Sequence, residues 1–155
     1  MKKTIDEIKK FFDKNQWKYN FDEDDKVFVS GLNMGNVLGN VKILIPMYED
    51  HYNVYSILNS KAEKKYYPVI AEFLHRANYG LRCGNFEMDY EDGEIRYKTY
   101  VNFNDTSVSE EIVEESILVG MAMIDTYGKG LVKLMLGEGK PEEIVEYCES
   151  LDEEE

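Results

Sequence analysis

Hydrophobic and polar positions along this chain switch between two periods, and the switches mark its elements. Ile5, Ile8, Phe11 and Phe12 recur at helical spacing among lysines, which predicts a first helix with its lysine-rich face outward. Thr4-Ile5-Asp6-Glu7 has the form of a capping box at its start, and Asn15-Gln16 ends it. From Trp17 the period falls to two. Trp17, Tyr19 and Phe21 alternate with Lys18 and Asn20, and after the charged turn Asp22 to Asp25 a second strand runs from Val27 to Leu32. Val41 to Tyr48 is the most apolar run; Pro46 within it lacks an N–H and predicts an edge strand or a bulge. Glu49-Asp50-His51 turns the chain, and Tyr52 to Leu58 return.

Ile70, Phe73, Leu74 and Ala77 predict a helix over Ala62 to Asn78, regular from about Tyr66 because Pro68 is tolerated only in a first turn. Asn78-Tyr79-Gly80 offers a left-handed end. Alternation resumes at Asn85. Phe86, Met88 and Tyr90 take one face, shared by Ile95, Tyr97, Thr99 and Val101 of the return strand, with Asp92-Gly93 between as a tight-turn dipeptide. A two-residue turn there pairs Asp89 with Arg96, Met88 with Tyr97 and Glu87 with Lys98, so that apolar residues meet on one face and opposite charges on the other. Ser107-Val108-Ser109-Glu110 is a second capping box, opening a helix with Ile112, Ile117, Met121 and Ile124 on one side. Gly128 and Gly130 predict its division into two pieces. Residues 1–136 read as one domain. Residues 137–155 read as a linker at Gly137 to Pro141, a short helix with Ile144, Cys148 and Leu151 inward, and an acidic end.

The run N-Y-G-L-R-C-G-N-F-E-M-D-Y-E-D-G-E-I-R-Y, from Asn78 to Tyr97, resembles the YbjN domain family, grouped with the type III secretion chaperone-like fold. The likeness rests on Asn78, Leu81, Gly84, Phe86, Glu87, Asp89, Asp92, Gly93, Glu94, Arg96 and Tyr97, and the order of elements agrees from residue 3 to residue 136. It implies an α+β fold in α-β-β-β-α-β-β-α order, an antiparallel sheet of about five strands with helices packed on it. It also implies a sensory-transduction regulator, in a fold whose secretion chaperones bind partner proteins as homodimers. Asn78, Gly84, Phe86, Asp89, Asp92, Gly93 and Arg96 read as structural residues of the motif, with Asn78 and Gly84 setting corners because both residue types tolerate positive φ.

Charge narrows the partners. Thirty-one acidic and 18 basic residues give a formal net charge of −13, unlike a surface built for nucleic acid or anionic membrane. No segment approaches the roughly 18 apolar residues of a membrane span. Cys83 and Cys148 stand apart without a C-x-x-C motif, and the charged start lacks the apolar core of a signal peptide, so free thiols and a cytoplasmic location are expected.

Candidate chemistry is thin. Gly31, Gly35 and Gly39 lack the lysine and hydroxyl of a phosphate loop. His51 and His75 have no ligand partners at metal spacing, and the acids from Glu87 to Glu94 do not fit a calcium loop. No cofactor or metal is expected. Cys83, beside Arg82, is the one candidate nucleophile. The reading that follows is a non-enzymatic cytoplasmic protein-binding module, homodimeric, with a chaperone-like or regulatory role and a protein partner yet to be identified. A small-molecule sensor with a ligand pocket between sheet and helices is the alternative, and an enzyme using Cys83 the third.

Overall fold

A computed structural model describes residues 1–152; the acidic end predicted at the C-terminus falls largely outside them. Among the described residues six strands form one antiparallel sheet: β1 (Tyr19–Asp22), β2 (Val27–Asn33), β3 (Asn40–Pro46), β4 (His51–Leu58), β5 (Asn85–Met88) and β6 (Ile95–Asn102), in the order β1-β2-β3-β4-β6-β5. The expected α+β antiparallel fold is present, with one strand more than the anticipated five. Four helices accompany it: α1 (Lys2–Lys14), α2 (Tyr67–Gly80), α3 (Glu110–Met135) and α4 (Pro141–Asp152).

Period-two patterning puts most of the buried apolar residues of the strands on one face, and the helices lie there. Phe12 of α1 meets Phe28 of β2 at 6.0 Å between ring centroids. Tyr52 of β4 bonds Ser116 of α3 at 3.0 Å, and Phe86 of β5 meets Tyr127 of α3 at 5.6 Å. The layer between is filled by wholly buried side chains, including Tyr52, Tyr97, Phe73, Ile43, Ile95 and Ile117. Burial pushes the Tyr52 phenol up to about 12. Helix α4 packs on α2 and α3, and its Val145 and Cys148 join the same core. Ile144 is half-buried there, whereas Leu151, expected inward, is exposed.

Several local expectations are corrected. Helix α1 starts at Lys2, before the Thr4 box; the Thr4 side chain is buried and caps nothing. Ser109, not Ser107, caps α3, accepting the Ile112 N–H at 3.3 Å. Strand β3 is interior, paired with β2 and β4. Pro46 is its last residue, and its missing donor faces β4, because the neighbouring Met47 N–H donates to Lys26 on the β2 side. The β3–β4 ladder stops at Leu44↔Tyr55 and returns as the single bridge Met47↔Tyr52, so the proline falls in the gap. Helix α2 runs through Asn78 to Gly80 with no left-handed end, and Leu81 caps it in extended conformation.

Helix α3 is one continuous helix of 26 residues. Its glycines act as points of close approach. A Cβ at Gly128 would meet Leu38 at 2.7 Å, one at Gly130 would meet Ile144 and Cys148 at 2.6 and 2.7 Å, and one at Gly120 would meet Ser56 Oγ at 2.4 Å. The helical propensity lost at these positions is offset by the neighbours they admit. Ile112, read as inward, lies 44% exposed near the start of α3.

Two glycines test this. Gly120→Ala should destabilise the protein by about 1–3 kcal/mol, because helix and sheet must move apart. Gly80→Ala, at a helical position with open space, should leave stability unchanged or raise it by up to about 1 kcal/mol. Urea unfolding of both variants checks the pair; equal effects would remove the close-approach explanation.

Candidate functional site

The outer face of the sheet carries no helix among the described residues, and it is not uniformly polar. One cross-strand row runs Val29, Leu44, Tyr55, Lys98, Asn85, and a neighbouring row runs Lys42, Ile57, Arg96, Glu87. Val27, Val29, Leu44 and Tyr55 are half-buried there, and Ile57 is buried beneath its neighbours. The Arg96 guanidinium lies 4.1 Å from the centre of the Tyr55 ring. Arg96 Nε and Nη2 each donate to Glu87 Oε2 at 2.8 Å, and Lys98 Nζ donates to Oε1 at 2.6 Å. Burial pushes the Glu87 carboxyl up, but the hydrogen bonds from Lys98 and Arg96 outweigh it and carry the group below its ordinary 4.5. Farther along, His51 stacks on Tyr48 at 4.4 Å and leans on Tyr100 at 5.1 Å, with its Nδ1 2.6 Å from the Asp50 carboxylate. Tyr48 and Tyr100 are 45% and 56% exposed.

The motif residues hold the corner of this face. Asn78 Nδ2 donates to the Phe86 carbonyl at 3.0 Å, and the Phe86 N–H donates to Asn78 Oδ1 at 2.7 Å. Phe86 presents those main-chain groups away from β6, so the Asn78 carboxamide sits where a further strand would pair. That role differs from the predicted corner residue at positive φ; Asn78 is helical. Gly84 does take positive φ, +76°, and a Cβ on it would stand 2.3 Å from the Lys98 carbonyl oxygen.

The hairpin register is shifted by two residues from the expected one. Glu87 pairs with Arg96, Met88 with Ile95 and Phe86 with Tyr97, leaving Asp89 to Glu94 as the loop. The two aspartates act inside it: Asp89 Oδ1 accepts the Glu91 N–H at 2.8 Å, and Asp92 Oδ1 accepts the Glu94 N–H at 3.0 Å. Gly93, at φ +80°, donates to the Asp89 carbonyl and accepts from the Ala62 N–H at 2.9 Å. Asp92 also pairs with Lys61. Side-chain acceptors thus turn the acidic run into a wide loop, where the dipeptide alone reads as a two-residue turn.

Cys83 is exposed, and its carbonyl accepts the Tyr97 hydroxyl, whose pKa burial pushes up to about 12. It lines a groove of about 370 Å³ at the sheet edge, with Val101 of β6 and Ile112 and Val119 of α3. Neither histidine lines this groove: His75, an exposed residue of α2, lines a separate cavity together with Glu142 and Glu146 of α4. Cys148 is buried, and burial raises its thiol pKa. The outer-face row and the edge groove escaped the sequence reading. The opposite charges of Glu87, Arg96 and Lys98 on one face of the hairpin were the signal that could have exposed the row.

A family model, YbjN, described as "Putative bacterial sensory transduction regulator", matches residues 4–132. A search of curated proteins gave no match. Among solved structures, the chain is similar to the crystal structure of YbjN, "a putative transcription regulator from E. coli", with a TM-score of 0.51 and 11% sequence identity over 81% of this chain and 92% of that one. At that identity the likeness concerns the fold.

Two measurements probe the site's framework. Because Glu87 titrates below its ordinary value, its bonds to Arg96 and Lys98 contribute stability above about pH 4.5 that is lost as pH falls through the folded value. Glu87→Gln should therefore lose about 1 kcal/mol at neutral pH and flatten the acid limb of the stability curve, followed by chemical denaturation at several pH values. Asn78→Ala removes both bonds to Phe86 and should cost about 1–3 kcal/mol, with faster amide exchange at Phe86 as its local signature.

Proposed function

This chain belongs to the YbjN family, and from that premise we propose that it is a non-enzymatic cytoplasmic regulator that works by binding a partner protein across the outer face of its sheet. The observation that carries the reading is the row Val29, Leu44, Tyr55 with Arg96 laid over the ring, on a face no described helix covers. Aromatic and arginine side chains held in place before contact cost little to order, and they dominate protein interfaces. The rest of the surface, at a net charge of −13, disfavours indiscriminate association.

Self-association as a homodimer belongs to the same proposal. Glu87, Arg96 and Lys98 set both signs of charge side by side, an arrangement that can complement itself across a two-fold axis. No helix among the described residues is long and apolar enough to cross a membrane. The small-molecule alternative gains no support, since the space between sheet and helices is filled by packed side chains.

The test is a pull-down from native extract with a charge-matched acidic control, repeated with Leu44→Glu, alongside sedimentation of both proteins. The expected result is a small set of partners, or a dimer, absent from the control and lost in Leu44→Glu while its fold is retained. Partners and dimer unchanged by Leu44→Glu would remove the outer face from the proposal.

A further inference from the structure

The last four residues of β6 have a neighbour on one side only. The β5–β6 ladder runs from Asn85↔Lys98 to Met88↔Ile95 and stops, whereas β4 pairs with β6 as far as Asn102. The direction of the main-chain groups follows from two bonds. Asp89 N–H donates to the Glu94 carbonyl, and Phe103 N–H donates to the Asp50 carbonyl. Even-numbered residues of β6 therefore face the β5 side and odd-numbered residues face β4. In the continuing register Tyr100 would meet Cys83 and Asn102 would meet Leu81, but Gly84, at φ +76°, turns the chain away first. The N–H and C=O groups of Tyr100 and Asn102 thus point to a side that β5 leaves open.

The other side of that corner is treated differently. Phe86 of β5 has its outward main-chain groups taken by Asn78. Among the described residues the β6 half-edge has no such cover, and it opens into the groove of about 370 Å³ that holds Cys83. Thr99 and Val101 line the groove from the sheet, and Ile112, Glu115 and Val119 line it from α3. Helix α3 runs opposite to β6, since Thr99 Oγ1 donates to the Ser116 carbonyl while Gly120 lies against Tyr97. The first two turns of α3, with Glu110, Glu111, Glu114 and Glu115, therefore stand toward the Asn102 end, where Glu110 pairs with Lys14 and Glu115 lines the groove.

We propose that this half-edge takes an extended peptide segment of a partner protein as an added strand. It runs antiparallel to β6 along the line β5 abandons, with apolar side chains opposite Thr99 and Val101 and lysine or arginine at its N-terminal end. Main-chain bonds to Tyr100 and Asn102 supply the attachment, Ile112 and Val119 receive the apolar side chains, and Glu115, the α3 glutamate that lines the groove, selects the basic end. The inference rests on the protein-binding reading and adds the chemistry of the bound segment.

The probe is the capped peptide KKVTVTV, added to isotope-labelled protein and followed by amide exchange. Exchange of the Tyr100 and Asn102 amides should slow about tenfold or more at saturating peptide. The same peptide N-methylated at its two threonines, whose N–H groups face β6 in this register, should give no protection. Ile112→Glu, at an exposed position, should weaken binding about tenfold, equivalent to about 1.4 kcal/mol. Free-rate exchange at Tyr100 and Asn102 with millimolar peptide, or shifts confined to Val29, Leu44 and Tyr55, overturns the proposal. A pull-down partner that binds while both amides exchange at the free rate also overturns strand addition, and leaves the protein-binding reading intact.

Discussion

The fold depends on how closely α3 can lie on the sheet. Its middle residue of contact, Gly120, has no side chain, and the wholly buried Ser56 of β4 fills the space a methyl group would need. At that separation Ile117 and Ile124 reach the core, Ser116 bonds both Tyr52 and Thr99, and Tyr127 rests on Phe86 and Phe73. Farther along the helix, Gly130 repeats the device toward α4, letting Cys148 and Ile144 against it. Helices α1, α2 and α4 all pack on α3, so a displacement of this one helix would loosen every layer at once.

Much of this was legible in the sequence because burial imposes a period. The alternation in Phe86 and Met88, and again in Ile95, Tyr97 and Thr99, placed each residue on its true face. The hairpin register came out two residues wrong for a reason the faces could not reveal: an even slip leaves every side chain on its own side. What decides between the registers is the competition of Asp89 and Asp92 for main-chain N–H groups and the hydrogen bond from the Ala62 N–H to the Gly93 carbonyl, which are local bonds and a distant contact. Glycine misled for a related reason. Gly128 and Gly130 carry the propensity of a helix break, yet each is matched to a bulky neighbour far away in sequence. Pro46 likewise read as an edge or a bulge because its missing donor was visible and the gap in the β3–β4 ladder was not.

The candidate site was less legible than the fold. The part Asn78 plays depends on Phe86 eight residues on, next to Gly84 at positive φ. The outer face drew no attention because its residues are only half-buried and alternate with charges, as they would on any solvated sheet. Its distinction lies in arrangement, with Arg96 over Tyr55 and an acid between two bases.

The carboxamide of Asn78 has a meaning for assembly as well as for folding. An open-ended sheet is a growing chain in miniature, since each unpaired edge can take up a neighbour that then presents an edge of its own. By spending one side chain on both main-chain groups of Phe86, the protein terminates that chain at β5. With Phe86 closed, strand addition on this flank is confined to the last residues of β6, while β1 forms the sheet's other edge.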